Sequence, residues 1–302
     1  MLVLLLAQSL LRSPLLLFVR ALGMAFGGVS TLLTQLLSLG AYLVSMLVAI
    51  VAGKVLFGND FRFLFPTAVP RSDYQLPAVG AGIGMSMLAN LLVGWFTLLL
   101  AALGMQSLPN SPDFSGGWLA GVVTFLSVTV FPAVLEELLF RGVLLQPMRR
   151  YGNRFALVIS AAMFALCHPT LPQALLGFVV GLLLGALVIR SGSLRTSMLI
   201  HFGYNALACL LTLLSASRSS LGMVLLGWGI MLAVIATGGG CCWVLRKRFG
   251  SVWQVGQSNL QGLDQSQQWS AVLTSPPLWA VGVLAVIAIA GNLHWGLGGM
   301  GW

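Results

Sequence analysis

The chain has 302 residues, 58% of them hydrophobic and 7% charged, with a mean hydropathy of +0.98. That surface excludes a soluble domain, and apolar runs of about 20 residues exclude a barrel of roughly 10-residue alternating strands. The net charge of +9 is scattered singly and in small clusters between apolar runs, which reads as membrane anchoring and excludes a nucleic-acid binder.

In chain order, the first residues, MLVLLLAQSLL, lack a basic n-region, so no cleaved signal peptide is expected. Residues 1–20 read as a surface helix or partial span. Apolar spans follow at roughly 22–53, 78–104, 117–139, 155–168, 172–189, 196–215, 220–245 and 277–294. The predicted fold is therefore an all-α, polytopic transmembrane bundle of about eight spans. Loops 54–77, 141–154, 190–195 and 246–276 hold most of the Lys and Arg. The positive-inside rule places them in the cytoplasm. Residues 249–276 are Gln- and Ser-rich and read as a polar loop. Three regions result: an N-terminal membrane region over 1–77, a core over 78–215, and C-terminal spans over 216–302.

Cys167, Cys209, Cys241 and Cys242 lie in apolar segments without CxxC spacing and read as buried free thiols. Gly177, Gly181 and Gly185 recur every four residues on one helix face, a spacing that lets two helix backbones approach closely.

The chain has only two glutamates, Glu136 and Glu137, with Arg141 close behind in an apolar run. An ionisable side chain at mid-bilayer costs about 2.5–3.5 kcal/mol even on lenient scales, so the cluster marks a functional site. Glu137 and Arg141 stand at i and i+4 in the favourable order for an ion pair. Glu136 lies five residues from Arg141, about 140° around the helix, and must point elsewhere. Two further pairs share the spacing: Phe164 with His168, and His201 with Asn205. Pro169 follows His168 and should end or kink its helix there. His294 has no such partners and reads as structural.

Both glutamates and two of the three histidines thus fall within about 70 residues. The set suits general-base hydrolysis. A carboxylate deprotonates water, an imidazole orients it, and neutral donors stabilise the oxyanion. A zinc hydrolase is a rival, since His and Glu are legitimate ligands, but the HExxH spacing is absent. No GxSxG elbow supports a serine hydrolase. A non-catalytic scaffold or immunity protein, with the polar cluster as an interhelical staple, is an alternative. A proton-coupled transporter is another, though no internal repeat is evident.

The ordered set EExxxR, FxxxH and HxxxN resembles the CAAX prenyl protease and bacteriocin-processing (Abi) family, whose type II members are intramembrane glutamyl endopeptidases. The resemblance covers roughly 78–215. It implies that Glu136 activates water, that His168 holds that water, and that His201 and Asn205 stabilise the oxyanion. Glu137, Arg141 and Phe164 occupy the supporting motif positions. It implies no cofactor or metal. The expected partners are membrane lipid and a membrane-associated protein or peptide substrate, prenylated in the CAAX members. The expected location is multi-pass in the plasma membrane. From the arginine-rich loops, the site is expected to open toward the cytoplasm.

Overall fold

Glycine, proline and short polar turns punctuate the apolar runs and set where each helix begins and ends. The computed structural model describes residues 18, 30–57, 61–107, 112–114, 116–216, 221–256 and 262–295. The helices are α1 (Thr31–Phe57), α2 (Phe61–Leu64), α3 (Ser72–Ala102), α4 (Trp118–Val128) and α5 (Val130–Glu136). A π-helical segment, Glu137–Leu144, runs into α6 (Leu145–Met148). Then come α7 (Asn153–Ala165), α8 (Leu171–Ser191), α9 (Leu194–Ala216), α10 (Leu221–Phe249), α11 (Gln265–Leu273) and α12 (Pro276–Gly291). Two short strands, β1 (Met105–Ser107) and β2 (Leu293–Trp295), pair antiparallel.

The polytopic helical bundle expected from sequence is what forms. Among the described residues six helices are long and apolar enough to cross a bilayer. There are seven if α11 and α12, bent by 63° at their junction, count as one broken span. The predicted span 117–139 extends to Tyr151 as one apolar rod. The predicted span 155–168 is instead α7, only 13 residues long. At 1.5 Å per residue it covers about 20 Å of a ~30 Å hydrocarbon core. Its far end, including His168, therefore turns back at membrane depth, where non-helical backbone is tolerated beside a cavity. Within the expected polar loop 249–276, Asp264 and Gln267 form a reciprocal capping box that starts α11. Apart from Phe18, the segment 1–20 lies outside the described residues.

The glycine stripe seats α8 on α7. A Cβ at Gly181 would come within 3.0 Å of Ala161 Cα, and one at Gly185 within 2.6 Å of Leu157 Cδ1. Helices α3 and α10 cross at Gly84 and Gly238, where a Cβ on either would meet the other's backbone at 2.5 Å.

The bundle has two chemically different ends. At one, the Leu194 N–H donates to the Pro66 carbonyl (2.8 Å), Asn153 Nδ2 to the Val255 carbonyl (2.7 Å), and Arg190 Nη1 to the Gln254 carbonyl (2.9 Å). These bonds gather the arginine-rich loops together. At the other end Gln35 Nε2 donates to the Asp113 carbonyl (3.1 Å), and Asn292 Nδ2 to the Pro169 carbonyl (3.3 Å).

Candidate functional site

The glutamates separate as their spacing predicts. Arg141 Nη1 donates to Glu137 Oε1 at 2.9 Å, and both side chains are fully buried. The Arg141 guanidinium also lies over the Phe164 ring, 4.3 Å from its centroid. A charge this deeply desolvated persists only when paired, and the aromatic face adds a cation–π contact. Around them the backbone is π-helical, and the Leu145 N–H reaches back to the Phe140 carbonyl. Carbonyls in this irregular turn acquire side-chain donors: Ser160 Oγ to Phe140 (2.8 Å) and Gln146 Nε2 to Arg141 (2.9 Å).

Glu136 faces another way and keeps 15% of its side chain exposed, against none for Glu137. Its Oε1 accepts from the Tyr42 hydroxyl at 3.1 Å. Its Oε2 lies 3.8 Å from His201 Nε2, too long for a direct hydrogen bond but within reach of one shared water. The other ring nitrogen of His201 donates to Glu137 Oε1 at 2.9 Å. His201 therefore bridges the buried carboxylate and the cavity-facing one.

His168 sits on the turn after α7, where its N–H bonds the Ala165 carbonyl at 3.0 Å. Its Nδ1 is 2.9 Å from the Phe164 carbonyl. A carbonyl only accepts, so Nδ1 carries the proton and Nε2 keeps a lone pair for a water. The ring stands edge-on to Phe164, centroids 5.0 Å apart, with Gly177 beneath it: a Cβ there would lie 3.2 Å from His168 Nδ1. Gly177, expected only as a packing residue, thus makes room for this imidazole.

Asn205 is held by a vacancy that proline creates. Pro132 has no N–H to give the carbonyl four residues back, which belongs to Val128. Asn205 Nδ2 donates to that carbonyl at 2.9 Å. Since the partner only accepts, the amide nitrogen must face it, and a second N–H remains.

Glu136, His168, His201 and Asn205, from three separate stretches of chain, line one cavity of about 450 Å³. Phe164 lines it as well, while Glu137 and Arg141 stay behind the wall. Tyr42, on α1, completes the site. It was not identified from sequence because nothing local links it to a carboxylate 94 residues away. The cavity is lined further by Pro112, Gln173 and Thr212. Among the described residues, no three His, Cys, Asp or Glu side chains are placed to share a metal ion.

Residues 118–207, under a third of the chain, match the family model for type II CAAX prenyl endopeptidase, Rce1-like. The match contains all three motifs and bears out the resemblance read from their order. No curated protein and no solved structure matches the chain.

Proposed function

We propose that this multi-pass membrane protein is an intramembrane endopeptidase of the CAAX prenyl endopeptidase type, with Glu136 as the base that activates water. The observation that carries the reading is the contrast between the twin carboxylates. Glu137 is neutralised out of reach, while Glu136 faces a cavity with Tyr42 on one oxygen and His201 near the other. A structural staple needs Glu137 and Arg141 but has no use for a second carboxylate opening on a cavity.

In this reading Glu136 Oε2 takes a proton from a water oriented by His168 Nε2. The hydroxide adds to the scissile carbonyl carbon, and the oxyanion accepts from the free Asn205 N–H and from His201 when Nε2 is protonated. The C–N bond then breaks and the proton on Glu136 passes to the departing amine. One water is consumed and the carboxylate is restored. Phe164 and Arg141 hold the ring and the buried carboxylate that position His201. The substrate is a peptide segment at the membrane, with or without a prenyl chain.

The test compares wild type with Glu136→Gln in detergent and in liposomes, on a prenylated CAAX peptide and on a library of membrane-surface peptides. Wild type should cleave a member of the set and the variant should be slower by a factor of about 10²–10⁴. Equal turnover by both proteins would remove Glu136 from the chemistry.

A further inference from the structure

We propose that an apolar slot between α7 and the bent pair α11–α12 binds one chain of an anionic phospholipid from the surrounding membrane, with Arg150 and Arg154 beside its headgroup. The slot is separate from the cavity at Glu136, and the proposal does not depend on the hydrolytic reading.

One wall is written in the sequence. Tyr151, Phe155, Ile159 and Met163 recur every four residues, so they share one face of α7 and of the 3₁₀ turn Arg149–Tyr151 that leads into it. All four line a cavity of about 460 Å³, within the ~300–1,000 Å³ of sites that hold small molecules. From Phe155 to Met163 this wall runs about 12 Å at 1.5 Å per residue. The facing wall is Val272 on α11 with Leu278 and Val281 on α12, brought round by the 63° bend between the two helices.

Of the fourteen lining residues, Tyr151 and Gln268 alone carry a hydroxyl or amide side chain. Gln268 Nε2 is already spent on the Leu263 carbonyl at 3.0 Å. An apolar space of this kind does not hold water. Beside a helix at membrane depth, the material at hand to fill it is an alkyl chain, and the unbranched, polarisable side chains of Met148 and Met163 adapt to one. Eight of the fourteen lining residues lie outside residues 118–207, so the slot is not a feature of the matched core.

The rim selects the headgroup. Arg149 and Arg150 stand between Met148 and Tyr151, both on the slot, and Arg154 directly precedes Phe155. Arg149 is fixed by Gln146 Oε1 and Asn153 Oδ1, each at 2.9 Å. Arg150 gives its Nε to the Pro147 carbonyl at 3.0 Å, and Arg154 is exposed. The arginine–carboxylate pairs among the described residues are Arg71 with Asp73 and Arg141 with Glu137, so Arg150 and Arg154 belong to neither. Two cations without a carboxylate, beside a slot lined by hydrocarbon, match an anion that carries a hydrocarbon tail. The aromatic rings set the depth. Trp269 is 41% exposed and stands edge-on to Phe155, centroids 5.6 Å apart, with Tyr151 on the other side of Phe155. Trp and Tyr collect at the headgroup level, and basic pockets between helices on the cytoplasmic side hold anionic headgroups.

The test is native mass spectrometry and thermal unfolding of the full-length protein in detergent, with phosphatidylglycerol or phosphatidylcholine of identical chains added. Wild type should retain one phosphatidylglycerol in preference to phosphatidylcholine and melt higher with it. Arg150→Gln/Arg154→Gln should melt like wild type without lipid and lose that preference by roughly ten- to thirtyfold, the worth of two arginines against an anionic surface. Ala271→Trp fills the slot from an exposed position on its lining, and should retain neither lipid. Equal retention of the two lipids by wild type, a preference that survives in the double variant, or retention by Ala271→Trp at the wild-type level would each overturn the proposal. A prenylated peptide that displaces phosphatidylglycerol mole for mole would assign the slot to substrate instead. A lipid-free dimer that Ala271→Trp dissociates would assign it to a second copy of the chain.

Discussion

Replacing Glu137 by glutamine separates structural from chemical roles most sharply. The change keeps the size of the side chain and an oxygen that can still accept from His201 Nδ1. It removes the charge paired with Arg141, which is fully buried and whose Nε and Nη2 have no hydrogen-bond partner among the described residues. Breaking one side of a buried ion pair costs about 3–5 kcal/mol, because the remaining charge is left desolvated. The Phe164 face, 4.3 Å away, offsets only about 1–2 kcal/mol of that. Thermal unfolding in detergent, followed by intrinsic fluorescence, should show Glu137→Gln as strongly destabilised and Glu136→Gln as nearly unchanged. The double variant Glu137→Gln/Arg141→Met, which removes both charges, should recover most of the loss. Turnover should show the opposite order, with Glu136→Gln the more severe. A Glu137→Gln protein that melts with wild type but has lost all turnover would refute the assignment and exchange the roles of the two carboxylates.

Tyr42→Phe removes a hydroxyl donor on Glu136 Oε1, so turnover should fall roughly ten- to hundredfold, the worth of a hydrogen bond to a charged group, with little change in melting. Gly177→Ala puts a methyl against the His168 ring while improving helix propensity by about 1 kcal/mol. Turnover should therefore drop while thermal stability does not. Asn205→Leu should cost about 1–3 kcal/mol by stranding the Val128 carbonyl, and about 10²–10³ in rate. Adding Pro132→Ala restores an N–H for that carbonyl, so stability should return while turnover does not. Exhaustive chelation should leave activity intact, and loss restored specifically by zinc would reassign the chemistry to a metalloprotease. Asp264 accepts from the Gln267 and Ser266 N–H groups and the Ser266 hydroxyl at the start of α11, which holds its carboxyl below the usual range. With the folded-state value depressed, the cap's contribution is present above the ordinary value of about 3.9 and is lost as pH falls through the folded one. Amide exchange over Ser266–Gln268, corrected for intrinsic rate, should lose protection in that acid range.

Much of this site was legible because its key relations are local. Residues four apart on a helix are neighbours whatever the tertiary fold, so the pairing of Glu137 with Arg141 and the contact of His168 with Phe164 could be read from spacing. The same counting set Glu136 apart from Arg141, and hydropathy alone gave the polytopic bundle. The carbonyl freed at Val128 was also written in the chain, four residues before Pro132. Which donor would fill it was not, because Asn205 is 77 residues away.

What required the tertiary structure was everything set by how helices lie against one another. Tyr42 reaches Glu136 only because α1 packs beside the π-helical turn. Gly177 lies under His168 only because α7 stops after 13 residues and turns back at membrane depth. The course of the cavity is of the same kind. Charge counting picks out the arginine-rich loops, but cannot say that Leu64, Phe140 and Ile200 pack shut while Ser127 and Gln173 line open space. Charge along a chain is additive and local, whereas an opening is the space several distant segments jointly fail to fill.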